Sequence, residues 1–202
     1  MEFDEIVKLL SCEYRYARDN YIPIIRDESA KFLYNFVRDN NIKRVLEIGT
    51  AIGYSGSLML SAGANNLTTI DINHDYLEMA KETFGKCGYI DRVEIIEGDA
   101  KVVLRQLIDR QDSYDMVFLD GAKGQYINYL PNLIKLLKVD GVIFADNVLL
   151  HGMVESEDKI PHRKRTMVVN LREYLKVVGQ YPYETELIRI EDGIAITKYK
   201  GE

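Results

Sequence analysis

The spacing of apolar positions changes near residue 43 and divides the chain into two patterns. Before that point, apolar residues recur at helical spacing over residues 3–20 and again over 27–40, and Pro23 separates the two runs. This pattern predicts two leading helical segments within residues 1–40. We expect them to pack on the rest of a single domain that spans residues 1–202.

From residue 43 onward, short apolar runs alternate with stretches long enough for a helix. Five of these runs are predicted strands, at residues 44–49, 66–72, 92–98, 114–120 and 141–147. Successive βα units predict an α/β fold with a mostly parallel sheet and helices on both faces. Two final runs, 185–190 and 193–200, are separated by Glu191 and Asp192 and predict an antiparallel hairpin, which brings the sheet to seven strands.

Composition and charge narrow the class of protein. With 202 residues, 47% of them hydrophobic, the chain can bury one substantial core. The acidic start "MEFDEIVKLL" is unlike a signal peptide and no run is long enough to cross a bilayer, so we expect a soluble, cytoplasmic protein without a membrane partner. Cys12 and Cys87 lack the spacing of a metal or redox motif. The net charge of −6 disfavours nucleic-acid binding by the whole surface but allows a local basic patch.

The loop after the first strand, "LEIGTAIGYS", carries Gly49 and Gly53 at GxxxG spacing rather than GxGxxG. A dinucleotide loop needs closely spaced glycines to approach a pyrophosphate, so this spacing suits a nucleoside ligand without phosphates. Asp71 at the end of the second strand is placed for ribose hydroxyls, and Asp99 after the third strand for adenine. Glycines and acids are also ordinary residues at strand ends. The glycine loop, Asp71 and Asp99 together nevertheless favour a ligand site.

Oxygen-bearing side chains end the fourth and fifth strands. Asp120 ends one strand, and Asp146 and Asn147 end the next. Adjacent parallel strands lie about 4.8 Å apart, so these side chains can converge on one ion. Carboxylate and amide oxygens suit Mg²⁺ or another divalent cation. Asp and Asn also end strands because they favour turns, but two carboxylates in one crevice repel each other without a cation.

Lys123 follows Asp120 by three residues and can reach the same crevice. A nearby dication disfavours its charged form and lets it act as a general base. The alternative is a solvated lysine at the start of a helix. The flanking glycines, Gly121 and Gly124, favour an exposed, tight turn.

Several motifs resemble those of a known family. The segments "LEIGTAIGYS", "TTIDIN" and "EGDA" resemble the S-adenosylmethionine (SAM) loops of class I methyltransferases. The wider pattern resembles the divalent-metal-dependent O-methyltransferases, which include the catechol and caffeoyl-CoA enzymes. The segments "DGAKGQY", "DNVLLHGMV", "HRKRTMV" and "EDGIAITK" resemble the bacterial tRNA 5-hydroxyuridine methyltransferase branch (TrmR type), and the resemblance runs from about Pro23 to Lys198.

This resemblance implies a Rossmann-like class I methyltransferase fold, SAM as cofactor, Mg²⁺, and a homodimer. It also implies that Lys123 is the catalytic base. Glu47 and Ser55 are expected at the methionine part of SAM, Asp71 at the ribose, and Asp99 with Ala100 at the adenine. The full set of implied cofactor-binding residues is Ile24, Glu47, Gly49, Gly53, Ser55, Asp71, Asp99, Ala100 and Asp120.

The substrate is predicted from a basic cluster and from a missing aromatic residue. The chain contains no tryptophan, and Ala122 stands where animal catechol enzymes carry one beside the lysine, which disfavours a small-catechol clamp. His162 and the three residues after it form a basic cluster, which Arg172 and Lys176 extend along the following helix. Within it, Arg163, Lys164 and Arg165 are predicted to hold tRNA phosphates around an extruded wobble nucleoside. The predicted reaction is methylation of wobble 5-hydroxyuridine to 5-methoxyuridine.

Other interpretations remain open at this point. The cluster can instead be a solvated helix start that pairs with acids between residues 155 and 158. The substrate can be a catechol or a hydroxycinnamoyl-CoA ester. A nicotinamide-dependent dehydrogenase is disfavoured by the missing GxGxxG, and a non-catalytic nucleoside-binding module predicts that Lys123 is dispensable. His151 is predicted at the rim of the site, whereas Gln125 and Tyr126 have no assigned role.

Overall fold

The computed structural model describes residues 1–201, and from residue 44 its strands and helices alternate until the last two strands, which follow each other directly. Three helices precede the first strand: α1 (Phe3–Leu9), α2 (Ser11–Asp19) and α3 (Asp27–Asp39). The following elements are β1 (Arg44–Ile48), α4 (Tyr54–Ser61), β2 (Asn66–Asp71), α5 (His74–Lys86), β3 (Val93–Glu97), α6 (Ala100–Asp109), β4 (Tyr114–Leu119), α7 (Tyr126–Leu136), β5 (Leu137–Asp146), α8 (Arg165–Val178), β6 (Tyr183–Ile188) and β7 (Ile194–Tyr199). Among these described residues, no helix is long and apolar enough to cross a membrane.

The first of two structural units, Met1–Val103, contains three parallel strands in the order β3-β2-β1. The leading helices α1 and α3 both contact α4. The Tyr34 hydroxyl donates to the carbonyl of Met1 at 2.6 Å, which ties α3 to the start of the chain. Helix α5 begins after Asn73, whose side chain caps it by accepting from the Tyr76 amide, as the sequence predicts.

The second unit begins at Leu104 and contains four strands in the order β4-β5-β7-β6. Strands β4 and β5 are parallel, with Leu119 opposite Ala145, whereas β7 runs antiparallel to both β5 and β6. Asp120 and Asp146 immediately follow the paired residues Leu119 and Ala145, so the register places these two acids side by side.

The strand number and directions confirm the predicted fold class, seven strands that are mostly parallel with a C-terminal antiparallel hairpin. Three boundaries were wrong. Leu10 interrupts the predicted helix over residues 3–20. The hairpin turn covers residues 189–193 rather than two residues, because the last ladder pair joins Ile188 to Ile194. Strand β5 begins at Leu137, which pairs with Tyr114. The single domain over residues 1–202 stays a prediction, and Glu202 lies outside the described residues.

Candidate active site

The loop between β1 and α4 depends on left-handed backbone conformations. Gly49, Ala51 and Gly53 have φ values of 104°, 43° and 79°. A Cβ atom on Gly53 would lie 3.1 Å from the Phe84 ring and 3.2 Å from the backbone of Ala80, both on α5. Gly53 is therefore required both for its conformation and for the close approach of α5.

Glu47 is the penultimate residue of β1 and is completely buried. The Ser55 hydroxyl donates to Glu47 Oε1 at 2.5 Å, and the Thr69 hydroxyl donates to Oε2 at 2.6 Å. Thr69 in turn lies 2.6 Å from the hydroxyl of Thr50, and because its own proton goes to Glu47, Thr50 is the donor. Hydroxyl groups from β2 and α4 thus satisfy both oxygens of a buried carboxylate, and the loop hydroxyl of Thr50 bonds to one of these donors. The family resemblance implied a role for Glu47 and Ser55, whereas Thr50 and Thr69 were not predicted from the sequence.

The other predicted cofactor residues of this unit lie at strand ends and loops. Asp71 is half-buried, and its two oxygens accept from the backbone amides of Ala51 and Asn73, each at 3.0 Å. It therefore joins the end of β2 to the glycine loop. Asp99 is exposed and accepts from the Lys101 amide at 2.8 Å at the start of α6. Buried Ala100 begins α6, and half-buried Ile24 lies between α2 and α3. Their contacts with SAM stay predictions.

The predicted metal and base residues come together at the ends of β4 and β5. Lys123 Nζ lies 3.0 Å from Asp120 Oδ1, and both side chains are less than one-fifth exposed, at 19% and 14%. Asp146 is fully buried, and its Oδ1 accepts from the Asn147 amide at 2.8 Å. Asp146 Oδ2 has no hydrogen-bond partner within residues 1–201. A buried carboxylate oxygen without a donor is unfavourable unless a cation faces it.

The titration of these acids reflects the same burial. Burial, with a smaller contribution from the charge of Asp120, raises the pKa of Asp146 to about 8. Burial also raises the pKa of Asp120, and the positive charge of Lys123 opposes that shift. A bound cation would favour the ionised form of both acids.

The donor set at this position fits a hard divalent cation. The side chains of Asp120, Asp146 and Asn147 can offer carboxylate and amide oxygens. No group of three or more His, Cys, Asp or Glu side chains within the described chain is arranged to hold a metal. An ion here would therefore depend on the amide oxygen of Asn147 and on ligands from water or substrate.

Asn147 begins a segment that is docked on the turn between β6 and β7. Val148 donates to the Gly193 carbonyl at 3.0 Å, and Leu149 donates to the Asp192 carbonyl at 2.8 Å. Asn147 has a φ of 56°, which asparagine tolerates better than most residues. Gly193 has a φ of 79°, and Leu149 fills the space that a Cβ atom would need. The "EDG" motif is thus a structural support for Asn147.

Asp192 and Tyr126 hold this part of the molecule in place. Buried Asp192 accepts from the His151 backbone at 3.2 Å, and His151 Nδ1 lies 3.0 Å from the same oxygen. The His151 ring is half-exposed, and its place at the rim of the site stays a prediction. The fully buried Tyr126 hydroxyl lies 2.9 Å from the Leu119 carbonyl and 3.2 Å from the Asp146 carbonyl. One proton shared between two carbonyls links the ends of β4 and β5, so Tyr126 is a core residue that supports both acids.

The basic cluster lies in a short 3₁₀ turn over 162–164 and at the start of α8. Arg163 and Arg165 are exposed, and Lys164 is half-buried. None of the three forms an ion pair within the part of the chain that the structure describes. The alternative in which the cluster pairs with nearby acids is wrong for Glu155. Its two carboxylate oxygens each lie 2.8 Å from the Arg189 guanidinium instead.

Arg172 has a role that was not predicted. Its guanidinium donates to the backbone carbonyls of Met153, Val154 and Ser156 at 3.3, 2.8 and 2.6 Å. Arg172 therefore holds the segment that follows Asn147 against α8. The residue is exposed, and these bonds engage its Nε and Nη2 atoms; its predicted contribution to the basic cluster stays a prediction.

Comparison with known proteins extends over nearly the whole chain. A family model described as O-methyltransferase matches residues 5–200. Caffeoyl-CoA O-methyltransferase 1 of Eucalyptus globulus is 32% identical over 182 residues, which cover 85% of this chain and 72% of the relative. Tapetum-specific methyltransferase 1 of Arabidopsis thaliana is 32% identical over 189 residues, 91% of this chain and 81% of the relative.

Solved structures give the same result. A Staphylococcus aureus protein described provisionally as a caffeoyl-CoA O-methyltransferase superposes with a TM-score of 0.85 at 32% identity, covering 100% of this chain and 93% of the other. The O-methyltransferase TomG of Streptomyces achromogenes, solved in complex with SAM, gives a TM-score of 0.84 at 26% identity, with coverage of 100% and 92%. These similarities confirm the predicted fold and remove the dehydrogenase and binding-module alternatives. The chain therefore belongs to the O-methyltransferase family and is a SAM-dependent enzyme of the class I, caffeoyl-CoA O-methyltransferase-like group.

Proposed function

We propose that this enzyme methylates wobble 5-hydroxyuridine of tRNA to 5-methoxyuridine, with a divalent cation such as Mg²⁺ held by Asp120, Asp146 and Asn147. The observation that carries the metal requirement is the buried Asp146 Oδ2 atom, which has no donor in the described chain. Because a second carboxylate, Asp120, is its neighbour, a cation is the partner that satisfies both.

The proposed chemistry assigns one role to each group. A divalent cation supplies positive charge that lowers the pKa of a chelated substrate hydroxyl. Lys123 Nζ is the proposed base that takes the proton from that hydroxyl. The substrate oxygen then forms a bond to the methyl carbon of SAM as the bond from that carbon to the sulfonium sulfur breaks, which leaves S-adenosylhomocysteine and the methyl ether. No protein nucleophile takes part.

The basic cluster of Arg163, Lys164 and Arg165 supports tRNA as the substrate. Its cations have no ion-pair partner within residues 1–201, so they are available to phosphates. On a chain with a net charge of −6, such a local cluster is where a polyanion would bind. The nucleoside offers O4 and the 5-hydroxyl as adjacent oxygens, which is the pattern that a chelating cation needs.

A hydroxycinnamoyl-CoA ester is the second candidate substrate. The caffeoyl-CoA O-methyltransferase of Eucalyptus globulus, 32% identical to this chain, favours it. A caffeoyl group also carries two adjacent oxygens, and the phosphates of coenzyme A can pair with the same basic cluster. The two candidate substrates therefore share the metal and base chemistry. They differ in the phosphate-bearing part, which is a whole tRNA in one and coenzyme A in the other.

Mass spectrometry of wobble uridines tests the first candidate directly. In tRNA from a deletion strain, we expect 5-hydroxyuridine to accumulate and 5-methoxyuridine to be lost. Unchanged 5-methoxyuridine, together with turnover of caffeoyl-CoA by the purified enzyme, would instead establish the second candidate. Robust methylation in excess EDTA would contradict the metal requirement for either substrate.

A charge-neutralised variant tests the basic cluster. We expect Arg163→Gln, Lys164→Gln and Arg165→Gln together to raise the KM for tRNA and to reduce its dependence on salt. The matched control neutralises Lys31, Lys135 and Lys198, three exposed lysines elsewhere on the chain. Equal KM values for tRNA in the two triple variants would show that the cluster does not bind it.

A homodimer is part of the proposal, on the basis of the family resemblance. The exposed side chains of Tyr16 and Tyr21, 47% and 93% exposed on the leading segment, support an interface there. We expect light scattering to give twice the chain mass of 23.3 kDa, and Tyr21→Ser to shift the equilibrium toward the monomer. A wild-type monomer at micromolar concentration would contradict this part.

A further inference from the structure

The turn that carries Lys123 has few constraints of its own. It consists of one 3₁₀ turn, Lys123–Gln125, in which the Gln125 amide donates to the Ala122 carbonyl at 2.7 Å. Glycines at 121 and 124 give this segment more conformational freedom than other residues would. A base that acts on one hydroxyl must be held in position, so a contact from outside the turn is needed.

Helix α8 provides that contact. Asn170 Nδ2 donates to the Gly124 carbonyl at 2.6 Å. A carbonyl oxygen can only accept, so the amide nitrogen of Asn170 must face it. The backbone of Met167, one turn earlier on α8, would lie 3.7 Å from a Cβ atom on Gly124, which is ordinary packing distance.

The helix is itself fixed in the second unit. Val168 and Leu171, on either side of Asn170, are completely buried. Arg172 adds the bonds to the segment after Asn147 described above. The position of Asn170 is therefore set by packing and not by the turn that it contacts.

We propose that Asn170 is a positioning residue, which holds the Gly124 carbonyl and thereby keeps Lys123 at the distance from Asp120 that proton removal requires. This inference rests on the proposed role of Lys123 as the base. It makes α8 a support for catalysis, because one side chain of that helix bonds directly to the residue after Lys123.

The test replaces Asn170 with aspartate, which has the same shape and loses the donor when ionised. We expect kcat to fall by about 10-fold to 100-fold, with the Kd for SAM within about twofold of wild type, because the change misplaces a reacting group without touching the cofactor residues. The assay uses both tRNA that contains 5-hydroxyuridine and caffeoyl-CoA. Val169→Ala, at the neighbouring exposed position on α8, is the control and should leave kcat unchanged.

Hydrogen exchange gives a readout that does not need a substrate. In Asn170→Asp we expect the amides of residues 121–126 to exchange at least about tenfold faster, while the rest of α8 keeps its protection. Unchanged exchange in this segment would overturn the inference, and so would a loss of kcat that is matched by a general loss of protection and of SAM affinity. If the wild type methylates neither substrate, the proposed function fails, but the exchange measurement still decides the role of Asn170.

Discussion

Replacing Asp146 with asparagine should make the metal-free protein more stable at alkaline pH and abolish methyl transfer. Asp146 is buried, and its Oδ2 atom has no donor within the described residues. Asparagine has nearly the same shape, and its amide oxygen can keep the bond from the Asn147 amide, now 2.8 Å from Oδ1. The substitution therefore removes a buried negative charge with little change in packing.

The size of this effect follows from the raised pKa of Asp146. Burial raises it from 3.8 to about 8. Between pH 3.8 and about pH 8, Asp146 keeps its proton in the folded chain but has released it in the unfolded chain. The free energy of unfolding therefore falls as pH rises, and the loss is complete above pH 8. The upper limit is on the order of 6 kcal/mol, since the pKa rises by about 4 and each pKa unit corresponds to about 1.4 kcal/mol. Relaxation of the site reduces this limit to about 2–4 kcal/mol.

The assay compares urea unfolding of wild type and Asp146→Asn in EDTA at pH 5 and pH 9. We expect the wild type to lose about 2–4 kcal/mol more than the variant between the two values, because Asp120, whose pKa burial also raises, is present in both. The melting temperature should change by about 2–4 °C for each kcal/mol. Added Mg²⁺ should recover the wild type at pH 9 and leave the variant unaffected. Asp109→Asn, at an exposed position, controls for net charge. Parallel pH profiles for wild type and Asp146→Asn would refute the reasoning.

Three further predictions concern catalysis and the supports of the site. Lys123→Ala should lower kcat by about 10²-fold to 10⁴-fold, while its affinity for SAM, measured by calorimetry, should equal that of the wild type. A kcat equal to that of the wild type would show that Lys123 is not the base. Thr69→Val should lower the free energy of unfolding by about 1–3 kcal/mol and weaken SAM binding, because the buried carboxylate on β1 loses a donor; unchanged urea unfolding would contradict this. Gly193→Ala should lower the melting temperature more than Gly152→Ala, since both have positive φ but only Gly193 faces Leu149; equal melting temperatures would exclude that contact as the cause.

The sequence was sufficient to predict the strands and what lies at their ends. Buried parallel strands are nearly continuous apolar runs, so the polar residue that ends each run can be identified from the sequence alone. Asp120 and Asp146 were found in this way, and the register of Leu119 with Ala145 confirms that they are neighbours. Lys123 was found by its distance from Asp120 along the chain, and the ion pair between them at 3.0 Å agrees with that prediction.

The supports of the site were not predictable, because each joins residues that are far apart in sequence. Tyr126 bonds to the carbonyl of Asp146, twenty residues away, and Asn170 bonds to Gly124, forty-six residues away. Periodicity identifies the buried face of a helix or strand, but it does not identify which polar groups meet. Among these supporting residues, Thr69 could have been noticed in the sequence, because it is a hydroxyl residue within the apolar run of β2.

Two of the buried carboxylates, Glu47 and Asp146, show why a metal is expected at only one of them. Glu47 and Asp146 are both fully buried at or near strand ends. Each oxygen of Glu47 accepts from a hydroxyl group within the protein, so its environment is complete without an added cation. Asp146 has one such bond, from the Asn147 backbone, and a second oxygen without any, beside another acid. Because an unpaired buried charge is unfavourable in the folded state, Asp146 is retained at a cost in stability that a bound divalent cation would offset. Removal of divalent cations should therefore alter the residues around Asp146 and leave those around Glu47 unchanged, a difference that hydrogen exchange of the two strands can measure.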